Sequence, residues 1–202
     1  ALAAAFLASR QVEVTAMQLG WIIVCMVAAR SSAMGFNRIV DRGIDAANPR
    51  TAMRELPSGQ ISMAAAWGFT LLSAAAFLGA SAALGPLVLA LAPIALAVVW
   101  GYSLTKRFTA LCHLVLGLAL ALAPTGVWLA LVGEWGWVPA LLSLAVGTWV
   151  AGFDIIYSCQ DCDFDRSSGL RSVPALLGVR TALWISAGLH VLSVTALVAL
   201  PA

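Results

Sequence analysis

Long apolar runs constrain this chain more than any other feature. Six stretches of about 20 mostly apolar residues follow one another, and each is long enough, as a helix rising 1.5 Å per residue, to cross a hydrocarbon core of ~30 Å. Apolar residues make up 62% of the 202 residues and charged residues only 10%, more apolar surface than a soluble domain of this size covers. The pattern predicts one all-α, polytopic transmembrane helical bundle over residues 1–202, with spans near 15–36, 61–80, 84–102, 108–132, 136–158 and 175–200.

The beginning of the chain is apolar but short. Residues 1–8 reach about 12 Å as a helix, which is too short to span a bilayer. We therefore expect a stub of a first helix followed by about six full spans, in a fragment of a longer protein.

Charge and cysteine content argue against two other classes of function. The net charge is +2, and basic and acidic residues are interleaved in the same loops, so nucleic-acid binding is unsupported. Cys159 and Cys162 form a lone CxxC, whereas a zinc site normally has four ligands. A packing role for these cysteines is favoured over a metal or redox role, which stays open.

Basic residues are concentrated on one side of the predicted membrane. Loops 37–60, 103–109 and 159–174 are separated by two spans each, so they share a face. They contain Arg38, Arg42, Arg50, Arg54, Lys106, Arg107, Arg166 and Arg171. The positive-inside rule makes this face cytoplasmic, in what we expect to be a bacterial inner membrane.

Two ladders of acidic residues lie on that same face. Asn37, Asp41 and Asp45 are spaced i, i+4, i+8, which places them on one side of a helix. The second ladder has spacings of three, four and four and consists of Asp154, Tyr157, Asp161 and Asp165. Carboxylates this close repel one another unless a cation intervenes, and paired aspartates suit Mg²⁺, which is usually held by one or two carboxylates and substrate phosphates.

Basic side chains beside the ladders indicate a phosphate ligand. Arg42 lies between the two aspartates of the first ladder, Arg50 and Arg54 follow in the same loop, and Lys106 and Arg107 come from another loop. Arginine binds phosphate oxygens in a planar, bidentate manner, and lysine adds a point charge. The expected ligand is a diphosphate bridged by Mg²⁺. The alternative, that these residues only solvate loop ends, is less favoured because two ladders and three basic loops share one face.

Three sequence motifs resemble those of the UbiA superfamily of intramembrane prenyltransferases. "NRIVDRGIDAANPRTAMRELPSG" (37–59) and "DIIYSCQDCDFDRSSGLRSVPALLG" (154–178) are similar to its two aspartate-rich signatures, and "YSLTKRFT" (102–109) to its third cytoplasmic segment. Within the superfamily the chain is most similar to 4-hydroxybenzoate polyprenyltransferases and their menaquinone-pathway relatives. Members generally have nine helices, so the resemblance implies that this chain lacks most of the first and the last two.

The resemblance also implies roles for individual residues. The residues implied to hold Mg²⁺, and through it the diphosphate of a polyprenyl donor, are Asn37, Asp41, Asp45, Asp161 and Asp165. Those implied to contact the diphosphate directly are Arg42, Arg50, Arg54, Lys106, Arg107 and Arg171. The chain departs from the pattern at Arg38, where many relatives have aspartate, and at Glu55, where proline is common.

The implied reaction transfers a polyprenyl group to an aromatic acceptor such as 4-hydroxybenzoate, for ubiquinone or menaquinone synthesis. Tyr157, and less so Tyr102, is a candidate to stabilise an allylic carbocation through its ring face; either tyrosine also fits an interfacial aromatic belt. Asp154 lies one turn inside the membrane, where an ionisable group is functional by default. It either positions the acceptor or pairs with Arg30. His113 and His190 are interpreted as core or interface side chains rather than ligands.

Two other functions also use acidic residues in a membrane protein. A CDP-alcohol phosphotransferase also uses aspartates and Mg²⁺, but neither ladder has its Gly-x3-Asp-x3-Asp arrangement. A transporter or channel with an acidic cytoplasmic vestibule predicts acids near the bilayer midplane, whereas these lie at helix ends. Membrane lipid surrounds the protein in every case, and the oligomeric state is open.

Overall fold

The fold is all-α throughout residues 1–200, the part of the chain that the computed structural model describes. In chain order its helices are α1 (Leu2–Ala8), α2 (Ala16–Ala47), α3 (Met63–Leu84), α4 (Pro86–Thr105), α5 (Cys112–Val132), α6 (Trp137–Ser158), α7 (Cys162–Ser167), α8 (Val173–Leu177) and α9 (Val179–Val198). A short 3₁₀ turn, Cys159–Asp161, joins α6 to α7. No strand occurs in this range, so the predicted fold class is confirmed.

Six helices are long and apolar enough to cross a membrane: α2, α3, α4, α5, α6 with its continuation to Ser167, and α9. They correspond to the six predicted spans. Large apolar side chains on them are open to the surroundings, for example Leu72, Trp184 and Val198 at 73%, 71% and 79% exposure. Such surfaces are stable in lipid and not in water, and the chain is an integral membrane protein.

Helix α2 is longer than the sequence predicted. The predicted span ended at residue 36, but the helix continues to Ala47 and measures about 48 Å at 1.5 Å per residue. Residues 37–47 contain no proline, and the first proline, Pro49, disfavours helical backbone at Asn48. Residues assigned to a loop are therefore the polar end of a continuous helix.

The chain forms two compact units. The first, Gly20–Leu104, contains most of α2 with α3 and α4. Ser32 on α2 donates a 3.1 Å hydrogen bond to the Thr70 carbonyl on α3 and accepts one of 3.0 Å from Trp100 Nε1 on α4. Gly35 lies so close to Thr70 Oγ1 that a Cβ there would collide with it. A hydroxyl and a small residue thus fix the packing of three apolar helices.

The second unit combines Ala1–Leu19 with the chain from Thr105 onward. Helices α5 and α6 approach closely at Gly117 and Gly147, where a Cβ on Gly117 would collide with the Gly147 carbonyl oxygen. Helix α9 is joined to α6 by Ser193 Oγ, which donates a 2.7 Å hydrogen bond to the Ala145 carbonyl. Small residues allow backbone contact and serine hydroxyls bridge neighbouring helices, as is usual in membrane bundles.

Candidate active site

The first acidic cluster lies on the polar end of α2. Asn37, Asp41 and Asp45 are on one uninterrupted helix, as the i, i+4, i+8 spacing predicted, and Asn37 Nδ2 donates a 3.1 Å hydrogen bond to Asp41 Oδ2. Asp41 is 3% exposed and Asp45 is 5% exposed. Buried carboxylates are costly without positive partners. This face of α2 is therefore suited to a cation.

Asp45 already has a positive partner, Arg54. Arg54 Nη1 donates to Asp45 Oδ1 at 2.8 Å and to Oδ2 at 3.0 Å. The loop that carries Arg54 is anchored by Leu56, which packs against Ile39 and Ala66. Thr51 Oγ1 adds a 3.0 Å hydrogen bond to the Asp45 carbonyl. Arg54, which was predicted to bind diphosphate, thus neutralises Asp45, which was predicted to bind metal.

The two departures from the superfamily pattern lie near each other. Arg38 Nη1 is 3.9 Å from Glu55 Oε2, so the two side chains form an ion pair. Partly exposed pairs at this distance contribute about 0–1 kcal/mol. The guanidinium of Arg38 is a cation that only donates hydrogen bonds, so it cannot bind a metal ion. The other predicted cations of this unit, Arg42 and Arg50, are exposed.

The second acidic cluster is not on one continuous helix. Asp161 ends the 3₁₀ turn with φ −105° and ψ 7°, and Asp165 follows on α7. A 3₁₀ turn rotates faster per residue than an α-helix, so the regular helical spacing assumed for the second ladder is interrupted between Asp154 and Asp165. Ser172, Asp161 and Lys106 are close enough to Asp165 to act electrostatically on its carboxylate. The structure thus brings both acids and Lys106 together.

Arg171 is attached to the segment that contains Lys106. Its backbone N–H donates to the Lys106 carbonyl at 2.8 Å, and its Nη1 donates to the Phe108 carbonyl at 2.8 Å. One end of its guanidinium is therefore engaged with backbone, although the residue as a whole is exposed. Arg107 and Tyr157 are also exposed, Tyr157 at 42%.

The sequence missed the partner of Asp154. The sequence offered Arg30 as that partner, but in the structure Asp154 Oδ2 is 2.6 Å from His113 Nδ1, and His113 is 3% exposed. Helical periodicity gives no sign of this contact because the two residues lie on different helices, 41 positions apart. Two features of the sequence could have predicted the contact. Asp154 is an acid inside a membrane span and needs a hydrogen-bond donor, and His113 lies at the start of a neighbouring span.

The donor set of both clusters is suited to Mg²⁺. Their oxygen donors are carboxylates and one amide, and no three His, Cys, Asp or Glu side chains among residues 1–200 form a ready-made metal cage. Mg²⁺ usually binds one or two carboxylates and completes its shell with water and substrate phosphate, so two acids per cluster fit this ion. Cys159 and Cys162 are free and face the carbonyls of Ile155 and Pro174, in agreement with a packing role.

These features define the class: a polytopic membrane protein with acidic clusters beside basic residues at the ends of its spans. The family model of the UbiA prenyltransferase family matches residues 1–202, and the chain belongs to this family. The recognition made from the three motifs is confirmed.

Curated relatives point the same way. The chain is 32% identical over 150 residues to a 4-hydroxybenzoate octaprenyltransferase of Vibrio campbellii, covering 74% of this chain and 52% of that protein. It is 34% identical over 164 residues to a polyprenyl transferase of Arthrinium sp, covering 79% and 51%. The chain thus spans about half the length of these relatives.

Solved structures share the fold. A UbiA homologue from Aeropyrum pernix K1, in its apo form, has a TM-score of 0.90 and 38% identity, covering 96% of this chain and 73% of that one. A UbiA homologue from Archaeoglobus fulgidus bound to GPP and Mg²⁺ has a TM-score of 0.71 and 21% identity, covering 91% and 66%. At that lower identity the likeness concerns the fold alone.

Proposed function

We propose that this protein transfers a polyprenyl group from a polyprenyl diphosphate to an aromatic acceptor such as 4-hydroxybenzoate, in a Mg²⁺-dependent reaction of ubiquinone or menaquinone biosynthesis. The observation that carries the proposal is the pair of buried carboxylates, Asp41 and Asp45, one turn apart at the polar end of a membrane helix. Relatives named for 4-hydroxybenzoate and a fold relative named for bound GPP and Mg²⁺ support it.

The proposed ligands follow from the chemistry of the side chains. Oxygen donors bind Mg²⁺, and the residues assigned to it are Asn37, Asp41, Asp45, Asp161 and Asp165. Guanidinium and ammonium groups bind phosphate oxygens, and the residues assigned to the diphosphate are Arg42, Arg50, Arg54, Lys106, Arg107 and Arg171. Arg54 has a double role, because it also holds Asp45.

The reaction begins when the allylic C–O bond of the donor breaks and its electron pair leaves with the diphosphate. The assigned arginine and lysine side chains stabilise the negative charge that develops there, since preorganised donors act most strongly where charge appears. The chemistry that a bound Mg²⁺ supplies is further neutralisation of that same charge. A ring carbon of the acceptor then bonds to the allylic cation, and the ring loses a proton.

Two residues are proposed to act at the organic end of the reaction. Tyr157 stabilises the allylic cation through its ring face, and Asp154 positions the acceptor through the oxygen that His113 leaves unbonded. The apolar spans hold the isoprenoid tail and exclude the water that quenches a carbocation. The excess of basic residues beside the acidic clusters favours a cytoplasmic position for them, in what we propose is a bacterial inner membrane.

The proposal is tested by identifying the product. Membranes of a host lacking its own enzyme, with the protein expressed from its full-length gene, are given radiolabelled polyprenyl diphosphate and 4-hydroxybenzoate. We expect label in a prenylated aromatic acid, identified by mass spectrometry. Labelled prenyl alcohol alone, or cation flux across vesicles without any prenyl transfer, would contradict the proposal.

A further inference from the structure

His113 joins two elements of its unit with its two ring nitrogens. It lies in the first turn of α5, almost fully buried. Nδ1 is 2.6 Å from Asp154 Oδ2 on α6, and the backbone N–H of Val173 at the start of α8 donates to Nε2 at 3.2 Å. An amide N–H can only donate, so Nε2 carries no proton. In the neutral ring the proton is then on Nδ1, which donates to the Asp154 carboxylate.

The segment that receives the second bond contains residues of the proposed site. Ser172, 4% exposed, caps α8 by accepting from Ala175 N–H and lies close enough to Asp165 to act on its carboxylate. The Arg171 carbonyl accepts from Cys112 Sγ at 3.4 Å. His113 thus accepts a hydrogen bond from Val173, the residue that directly follows Arg171 and Ser172. Arg171 is bonded to the Lys106 segment, and Ser172 lies beside Asp165.

Asp154 is left half-engaged by this contact. Its side chain is 31% exposed, and His113 is its only hydrogen-bond or ion-pair partner within the part of the chain that the structure describes. The second carboxylate oxygen therefore remains available to a ligand. When one oxygen of a carboxylate is held in place, the other oxygen points in a defined direction. A group that positions the aromatic acceptor needs such a fixed direction.

We propose that His113 is a positioning residue: it fixes the carboxylate of Asp154 and, through Val173, the Arg171–Ser172 backbone in one mutual arrangement. The inference rests on the proposed function, because it gives Asp154 and Asp165 their roles. His113 touches no substrate and acts through these neighbours. A histidine that only filled space would be replaceable by an apolar ring of similar size.

Three substitutions separate the two bonds of His113. His113→Phe keeps an aromatic ring and removes both bonds. His113→Asn places an amide N–H near the position of Nδ1 and keeps the bond to Asp154, whereas His113→Gln places an amide oxygen near Nε2 and keeps the acceptor for Val173. The matched control is His190→Phe, because His190 is also a membrane histidine, packed on Trp149 at 4.9 Å and near Ser186.

Kinetics in membranes form the first readout. We expect His113→Phe to lower kcat for the aromatic acceptor about 10- to 100-fold, the usual effect of losing a hydrogen bond to a charged group. His113→Asn should recover most of kcat, His113→Gln little of it, and His190→Phe should match wild type. If His113→Phe and His190→Phe both retain wild-type kcat and KM, the inference is wrong.

Amide hydrogen exchange of the peptide containing Val173 forms the second readout and needs no activity. Exchange should be faster in His113→Phe and His113→Asn than in wild type, and close to wild type in His113→Gln. Equal exchange in all variants overturns the inference even if the wild type transfers no prenyl group. Absence of transfer by wild type together with the expected exchange pattern instead contradicts the proposed function and leaves the role of His113 in holding Val173 supported.

Discussion

At the scale of residues, the contact between Arg54 and Asp45 determines how the first acidic cluster is neutralised. Both carboxylate oxygens of Asp45 bond to a single guanidinium nitrogen, and the carboxylate is buried. Removing one partner of a buried pair usually destabilises by about 3–5 kcal/mol, because the other charge is left unpaired. Arg54 is itself 30% exposed, so water screens part of the interaction and the loss should be smaller.

This pair gives a prediction about metal binding. Arg54→Ala leaves Asp45 without its cation, so Mg²⁺ should raise the Tm of the detergent-solubilised variant more than it raises that of wild type, by ligand linkage. Thermal unfolding at zero and saturating Mg²⁺ measures both Tm shifts. Arg42→Ala is the control, because Arg42 is an exposed arginine on α2, the helix that carries Asp45. An equal Mg²⁺ shift in wild type and both variants would argue that Asp45 binds no metal.

The residue types of the site could be read from the sequence, but their contacts could not. The spacing of Asn37, Asp41 and Asp45 was sufficient because helical geometry relates close neighbours. The contacts of Asp154 with His113 and of Arg38 with Glu55 depend on how separate segments meet. No local pattern encodes that packing.

At the scale of elements, the crossing of α5 and α6 depends on glycine. Gly117 faces the Gly147 carbonyl with no room for a side chain, while Gly126 on the same helix has open space. A carbonyl oxygen cannot move away as a flexible side chain can, so a methyl group at Gly117 must push the helices apart.

Alanine substitutions at these two glycines have opposite expected effects. Gly117→Ala should lower the free energy of unfolding by about 1–3 kcal/mol through overpacking. Gly126→Ala should leave it unchanged or raise it by up to about 1 kcal/mol, because alanine favours helix over glycine. Thermal unfolding in detergent measures both. Equal Tm values for the two variants would show that the close approach is not needed for stability.

The sequence predicted the spans well and the ends of α2 and α6 poorly. Apolar length alone locates a span, so all six were found. The polar continuation of α2 to Ala47 and the 3₁₀ turn at Cys159–Asp161 lie outside the apolar runs. There, hydropathy carries no information about whether the backbone remains helical.

At the scale of the whole molecule, the distribution of charge suits a mostly apolar protein to binding an anionic group. The spans expose large apolar side chains, and most of the acids and basic residues lie at the polar end of α2, near the end of α6, or in the segments that follow α2, α4 and α6. Such a molecule is suited to a substrate with a long apolar tail and a charged head. A polyprenyl diphosphate has both parts.

The most direct test of the central claim is the Mg²⁺ dependence of prenyl transfer in three matched variants. Asp41→Asn and Asp161→Asn should lower the rate at least about 100-fold and raise the Mg²⁺ concentration needed for half-maximal activity, because each loses a charged ligand. Asp163→Asn should behave as wild type, since Asp163 is exposed and 3.8 Å from Arg166. EDTA should stop transfer in every case. Wild-type rates in either Asp41→Asn or Asp161→Asn, or transfer that persists in EDTA, would contradict the account.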